Sequence, residues 1–155
     1  MFRKDSIVRE TMLAELRLDN DLKQKDVALK LDIEENNYSK WERNVTDIPL
    51  DKFNELANLY DCSLDYLIGL TNSKTKSERK TINLNLLSQR LLEMRKGKNL
   101  TQEKLSNEIG YPQTTYSNYE NGSRIPTIFK LMYIAIYYNI SLDYLVGRTD
   151  IKKVK

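Results

Sequence analysis

One hundred and fifty-five residues are enough for one medium domain or two small ones. Hydrophobic residues make up 40% and charged residues 30%, the balance of a globular chain, and no apolar run approaches the ~20 residues that cross a bilayer. With no histidine and a single cysteine, Cys62, the chain has no intrachain disulfide, no ordinary zinc-ligand set and no histidine-based catalytic dyad.

The opening MFRKDSIVRE lacks the uninterrupted apolar segment of a signal peptide, so a cytoplasmic location is expected. Carboxylates and lysines are scattered at helical surface spacing, and the five glycines are dispersed. Neither an acid–base pair nor a phosphate loop is read from them, and no catalytic residue, metal or cofactor is expected. The net charge of +3 hides an asymmetry. Residues 1–73 carry 10 Lys and Arg against 15 Asp and Glu, a balance of −5; residues 74–155 carry 15 against 7, a balance of +8. A polyanion is attracted to the second half and repelled by the first.

In chain order, the first predicted helix covers 7–18, with Ser6 as its candidate N-cap. Further helices are predicted over 24–31, 35–43, 50–60 and 64–68, and Cys62 takes a core position. Residues 71–81, TNSKTKSERKT, hold no apolar side chain and read as a flexible tether. Beyond them helices are predicted over 86–96, 102–109, 113–121, 128–138 and 142–146. Thr101 is the candidate N-cap of the second of these, and Ser63 and Ser141 are those of the two SLDYL helices. No stretch alternates convincingly with period two, so the fold class is all-α.

The two halves are copies of one unit. An offset of 78 residues carries Tyr38 and Ser39 onto Tyr116 and Ser117, Arg17 onto Arg95, Gln24 onto Gln102 and Glu42 onto Glu120. It also carries SLDYL at 63–67 onto SLDYL at 141–145. The expected organisation is an acidic N-terminal domain at 1–70, a polar linker at 71–82, a basic C-terminal domain at 83–150 and a basic tail at 151–155.

Residues 99–122, NLTQEKLSNEIGYPQTTYSNYENG, concentrate the functional signal. Leu100, Leu105 and Ile109 mark the inward face of one short helix, and Tyr116 and Tyr119 that of the next. Gly110 stands where a left-handed residue turns the chain back. The second helix turns Gln113, Thr114, Ser117 and Asn118 outward, short hydrogen-bonding side chains suited to base edges.

The string LTQEKLSNEIGYPQTTYSNYENGSRIP, followed after an apolar helix by SLDYLVG, resembles the Cro/repressor-type, or XRE-type, helix-turn-helix family. LKQKDVALKLDIEENNYSKWERN with SLDYLIG resembles the same family, with departures. The resemblance implies two tandem five-helix, lambda-repressor-like domains whose third helices enter the major groove of double-stranded DNA, in a regulator that acts as a homodimer. On that basis Gln113, Thr114, Ser117 and Asn118 take the base-reading slots, and Gln102, Asn121, Ser123 and Arg124 the backbone slots. Gln and Asn pair in a bidentate way with adenine, and the threonine methyl meets that of thymine. Arg17 with Glu42, and Arg95 with Glu120, take the slots of an ion pair tying the first helix to the end of the third. Pro112 stands where the family usually has a Ser or Thr N-cap, a place that tolerates proline.

In the first unit a second reader would comprise Gln24, Glu35, Asn36, Ser39 and Lys40, behind Glu34. Two carboxylates approach phosphate unfavourably, although glutamate accepts from cytosine N4. Asp32 and Asn44 replace the turn glycines, and both residue types tolerate a left-handed conformation. Two readings stay open: an intact fold with weakened or specialised DNA binding, and two working readers in tandem. The helix at 128–138 carries, besides its core stripe, a second apolar stripe of Phe129, Met132, Tyr133 and Ile136. The first unit has Asp51, Asn54, Glu55 and Asn58 there. The stripe reads as an interface, either of a homodimer or for docking the first unit within the chain.

The function expected is a sequence-specific DNA-binding transcriptional regulator, a repressor. The alternative is a protein-interaction module, such as an antitoxin or inhibitor, whose acidic N-terminal domain binds a partner protein.

Overall fold

The computed structural model describes residues 2–7 and 10–155, and among them all regular structure is helical. The first unit comprises α1 (Leu13–Asp19), α2 (Gln24–Lys30), α3 (Glu35–Glu42), α4 (Leu50–Leu59) and α5 (Leu64–Leu67). The second comprises α6 (Leu84–Gly97), α7 (Gln102–Ile109), α8 (Gln113–Glu120), α9 (Ile128–Tyr138) and α10 (Leu142–Leu145). The turns between helices repeat as faithfully as the helices. Asp21, Asp32, Asn44, Asp61 and Gly69 are left-handed, with φ between 51° and 84°. So are Asn99, Gly110, Gly122, Asn139 and Gly147, each 78 residues further on. Asp32 and Asn44 stand in for the glycines because their short polar side chains reach this conformation at modest cost.

The first helix is where the copies part. The helix expected over 7–18 begins only at Leu13, whereas α6 begins at Leu84; of the expected span, Val8 and Arg9 lie outside the described residues. Ser6 caps no helix: Lys4–Ser6 form a 3-10 turn in which Ser6 Oγ donates to Arg3 O at 2.8 Å. Met12 N–H donates to Leu67 O at 2.9 Å. The opening residues engage the second unit instead. The Phe2 ring meets Tyr137 edge-on at 5.6 Å, and Lys4 Nζ lies 4.9 and 5.8 Å from the ring centres of Tyr111 and Tyr133. β-branched Ile7 and Thr11 are poor helix formers, which favours this exchange.

The chain itself closes over α9. Phe129, Met132 and Tyr133 are 1%, 2% and 4% exposed, and Ile136 is half-buried. The stripe is therefore not the open face that the homodimer reading of it requires. Its residues belong to an apolar core continuous with that of the first unit, which includes Leu13, Phe53 and Leu64, and Cys62 is buried there too. Burial pushes the Cys62 thiol up to about 11.

The seam between units is centred on the two SLDYL helices. Each serine caps its own helix: Ser63 Oγ accepts from Tyr66 N–H at 3.0 Å and Ser141 Oγ from Tyr144 N–H at 3.1 Å. Each aspartate caps the other. Asp65 accepts from Leu142 N–H at 2.6 Å and from the Ser141 hydroxyl. Asp143 accepts from the N–H groups of Leu64, at 3.0 Å, and Asp65, at 2.9 Å. The Ser77 hydroxyl also donates to Asp143, and Arg148 Nε pairs with it at 3.3 Å. Arg148 is 2% exposed and donates to Asn54 Oδ1 at 2.6 Å and Cys62 O at 3.4 Å. Burial, reinforced by the adjacent Asp143 charge, pushes the Asp65 carboxyl above the usual carboxylate range.

A second line of contact joins the loops that follow α3 and α8. Asp47 accepts from Thr127 Oγ1 at 2.5 Å and from Phe129 N–H at 3.0 Å, and Ile128 N–H donates to Ile48 O at 3.0 Å. Residues 71–81, expected as a free tether, lie along the seam because their polar groups find partners on both units. Thr75 O accepts from Ser63 N–H at 2.8 Å, Lys80 O accepts from the Asn54 and Asn58 amides at 3.1 and 2.8 Å, and Arg79 pairs with Asp150 at 2.6 Å.

Inside each unit one ion pair ties the first helix to the third. Arg17 meets Glu42 through two bonds, of 2.6 and 3.2 Å, and donates to Leu22 O at 3.0 Å. Arg95 meets Glu120 at 2.6 and 3.1 Å and donates to Leu100 O at 2.8 Å. Burial alone would raise the Glu42 carboxyl; hydrogen bonds from Arg17, Gln24 and Tyr38, with the Arg17 charge, outweigh it and hold the group below its ordinary value.

These buried charges have measurable consequences. Asp143→Ala leaves Arg148 without its carboxylate and the Leu64 and Asp65 N–H groups without their acceptor, and should lower unfolding stability by about 3–5 kcal/mol, read from urea denaturation. Glu120→Ala strands Arg95 and should cost about 3 kcal/mol, well beyond an ordinary surface change, read from the same titration. The Glu42 pair also has a sign in pH. A carboxyl depressed by folding stabilises above its unfolded pKa, about 4.3, and loses that contribution as pH falls through the folded value, so Glu42→Gln should flatten the decline of Tm on the acid side. Asp65, shifted upward, acts in the opposite sense, since stability falls as pH rises from the unfolded toward the folded pKa.

Candidate nucleic-acid interface

The exposed face of α8 is set by what holds its other face. Pro112, extended at φ −58° and ψ 139°, precedes the helix, and its carbonyl accepts from Tyr116 N–H at 3.2 Å, so the helix starts without a side-chain cap. Tyr116 and Tyr119 are buried against α6: the Tyr116 hydroxyl donates to Leu91 O at 3.3 Å, and Ser88 Oγ donates to Tyr119 O at 3.2 Å. Gln113 and Thr114 are consequently exposed at the start of α8, with Ser117 and Asn118 half-buried one turn on.

The loop after α8 is shaped by its own polar groups. Asn121 Oδ1 accepts from Ser123 N–H at 2.9 Å, and Arg124 N–H donates to Asn118 O at 3.2 Å. Gly122 is left-handed here, and an added Cβ would lie 3.3 Å from Ser88 Oγ. Asn121, Ser123 and Arg124 are exposed beside the end of the helix. The preceding helix α7 begins at Thr101, whose hydroxyl accepts from Lys104 N–H at 3.1 Å, and ends at left-handed Gly110. Gln102 stands in its first turn, half-buried, with its amide donating to Glu120 Oε2 at 2.9 Å. A residue assigned from sequence to the phosphate backbone is thus also part of the Arg95–Glu120 clamp.

The first unit builds the same platform with different chemistry. Tyr38 and Trp41 are buried and pack edge-on at 6.3 Å, leaving Glu35 and Asn36 exposed and Ser39 and Lys40 half-buried. Gln24 donates to Glu42 Oε2 at 2.9 Å, matching Gln102. Lys23 and Lys25 are exposed at the start of α2, where Asp26 accepts from Lys23 N–H at 2.8 Å.

Sequence reasoning passed over Asp65, Asp143, Asp47 and Arg148, the residues that bring the two platforms together. A signal was there: an aspartate repeated within two otherwise apolar SLDYL helices has to find partners when it is buried. Among the described residues no group of three His, Cys, Asp or Glu side chains is placed to hold a metal ion, and no helix is long and apolar enough to cross a membrane.

Comparison with known proteins agrees with this geometry. The helix-turn-helix family matches residues 13–67 and again residues 91–145, two segments separated by the same 78 residues as the repeat. Over 62 residues, 40% of the chain, it is 42% identical to an uncharacterised HTH-type transcriptional regulator, YobD, of Bacillus subtilis. It is equally similar, over the same length, to the cryptic phage CTXphi transcriptional repressor RstR of Vibrio cholerae. Over 71 residues, 46% of the chain, it is 39% identical to the HTH-type transcriptional regulator ImmR of Bacillus subtilis. The chain spans just over half the length of these relatives, 55%, 55% and 56% respectively. No solved structure matches it. With both five-helix units matched, the chain belongs to the helix-turn-helix family.

Proposed function

We propose that this chain is a sequence-specific DNA-binding transcriptional regulator, a repressor, whose main reader is α8 of the basic C-terminal domain at 83–150. One observation carries the reading: α8 offers exposed Gln113 and Thr114, with Ser117 and Asn118 behind them, directly beside the exposed Asn121–Ser123–Arg124 loop. Amide and hydroxyl side chains on a helix suit base edges in the major groove, and a neighbouring loop with a cation suits phosphate. The surrounding sequence supports the polarity of the assignment, since residues 74–155 carry a balance of +8. The buried tyrosines and the Arg95–Glu120 clamp hold the reader rigid before it meets DNA, which limits the ordering cost of binding. Repression needs nothing further, because a protein seated on a promoter blocks polymerase by occupancy.

Selection of duplexes from a random pool with the full chain, followed by binding titrations, tests this. Gln113→Ala and Asn118→Ala should each relax preference at one or two base pairs, costing about 1–3 kcal/mol of discrimination. Arg124→Ala should weaken all sequences alike and reduce the salt slope by about one. Failure of the full chain to bind any duplex at low salt would overturn the reading.

A further inference from the structure

Resting on that DNA-binding reading, we infer that the chain is a dimer within one polypeptide, and that its DNA site consists of two unlike half-sites, one read by α8 and the other by α3. The contacts of the seam are those of a two-fold pair. Asp65 caps α10 while Asp143 caps α5, and the 78-residue offset interchanges the two aspartates. The same operation interchanges α3 and α8. Both of these helices end in loops that touch, through Asp47 with Thr127 and Ile48 with Ile128, so the two readers lead out of one junction. Paired helix-turn-helix units address half-sites about one helical turn apart, the spacing expected of the two halves here.

The seam is built for unlike partners. Asp47 of the first unit meets Thr127 of the second; at the reversed positions stand Ile125 and Pro49, which border one small cavity together. Arg148 of the second unit meets Asn54 of the first; the reversed positions hold Leu70 and Met132. Each polar pair on one side of the axis answers an apolar pair on the other. Pairing the first unit with another copy of itself would set Asp47 against Pro49 and Asn54 against Leu70. Pairing the second with itself would bury Arg148 against Met132. Both arrangements strand polar groups in the interface, which is how a seam discriminates against the wrong partner.

The reader at α3 is kept in working form. Its clamp matches that of α8, with Arg–Glu contacts of 2.6 Å in both units and Gln–Glu contacts of 2.9 Å in both. It presents Glu35 and Asn36 fully, with Lys40 behind and Lys23 and Lys25 alongside on α2. Its acidic start lowers affinity for phosphate, but a tethered second reader acts at the high effective concentration set by the first and needs little affinity of its own. Glu35 accepts from cytosine N4 and Asn36 pairs with adenine, so the second half-site differs in sequence from the one that α8 reads.

The test combines selection from a random duplex pool, using the full chain, with sedimentation of the free protein and of its complex. The expected result is one 18.2 kDa chain per duplex and an asymmetric two-part motif. Asn36→Ala and Lys40→Ala should then blur only one half, by about tenfold in base discrimination, and Gln113→Ala only the other. Thermal unfolding of Asn36→Ala, an exposed position, should match that of the parent and so separate reading from folding. A palindromic motif with two chains per duplex overturns the inference, as does a motif confined to one half-site and indifferent to both α3 substitutions; either leaves the regulator reading standing. Absence of binding to every duplex removes both.

Discussion

Two carboxylates exchanged across one axis hold this molecule together. Asp65 and Asp143 occupy the first turn of short helices that are too brief to be stable alone, and each supplies hydrogen bonds to the backbone N–H groups at the start of the other. Burying two like charges side by side is costly, and the fold offsets it by supplying donors: three backbone N–H groups, two serine hydroxyls and the Arg148 guanidinium. The two units are consequently interlocked at their fifth helices. The packing of α9, the course of 71–81 and the seating of the opening residues all build on that junction.

The third helix of each unit depends on the junction at one remove. An arginine–glutamate pair in each unit sets the end of the third helix against the first, and buried aromatic side chains set its roll, so α3 and α8 are held in the same way within their units. The clamps are near-identical in length while the exposed side chains beyond them are not. Structure is shared between the units and chemistry is divided between them. In the proposed function, rigidity of the frame is what allows four or five exchangeable side chains per helix to decide which sequence is bound.

Nearly all helices could be read from the sequence, because periodicity, the cap residues Ser63, Thr101 and Ser141, and left-handed turn residues all point the same way at each boundary. The first turns of the first helix could not. Ile7 and Met12 satisfy a helical pattern, but Phe2 and Lys4 have better partners on Tyr137, Tyr111 and Tyr133, and those rings lie more than 100 residues away in sequence. The apolar stripe of Phe129, Met132 and Tyr133 was visible for the same reason that its cover was not: a pattern on one helix shows that a face is to be buried, not what buries it. Of the positions assigned to DNA from α8, Gln113 and Thr114 are exposed and Ser117 and Asn118 half-buried, while Gln102 is drawn partly into the clamp. The seam escaped because an aspartate in an otherwise apolar helix reads as solvent-facing until a second helix start is brought to it.

The course of 71–81 along the seam bears on how occupancy answers to protein level. Two subunits that meet by diffusion separate on dilution, and their grip on DNA then climbs more steeply than the first power of concentration. Halves joined by a short, hydrogen-bonded strap do not separate, so their pairing is the same in one copy per cell as in a thousand. On the single-chain pairing inferred above, occupancy rises hyperbolically, without a threshold set by assembly, and the response is graded.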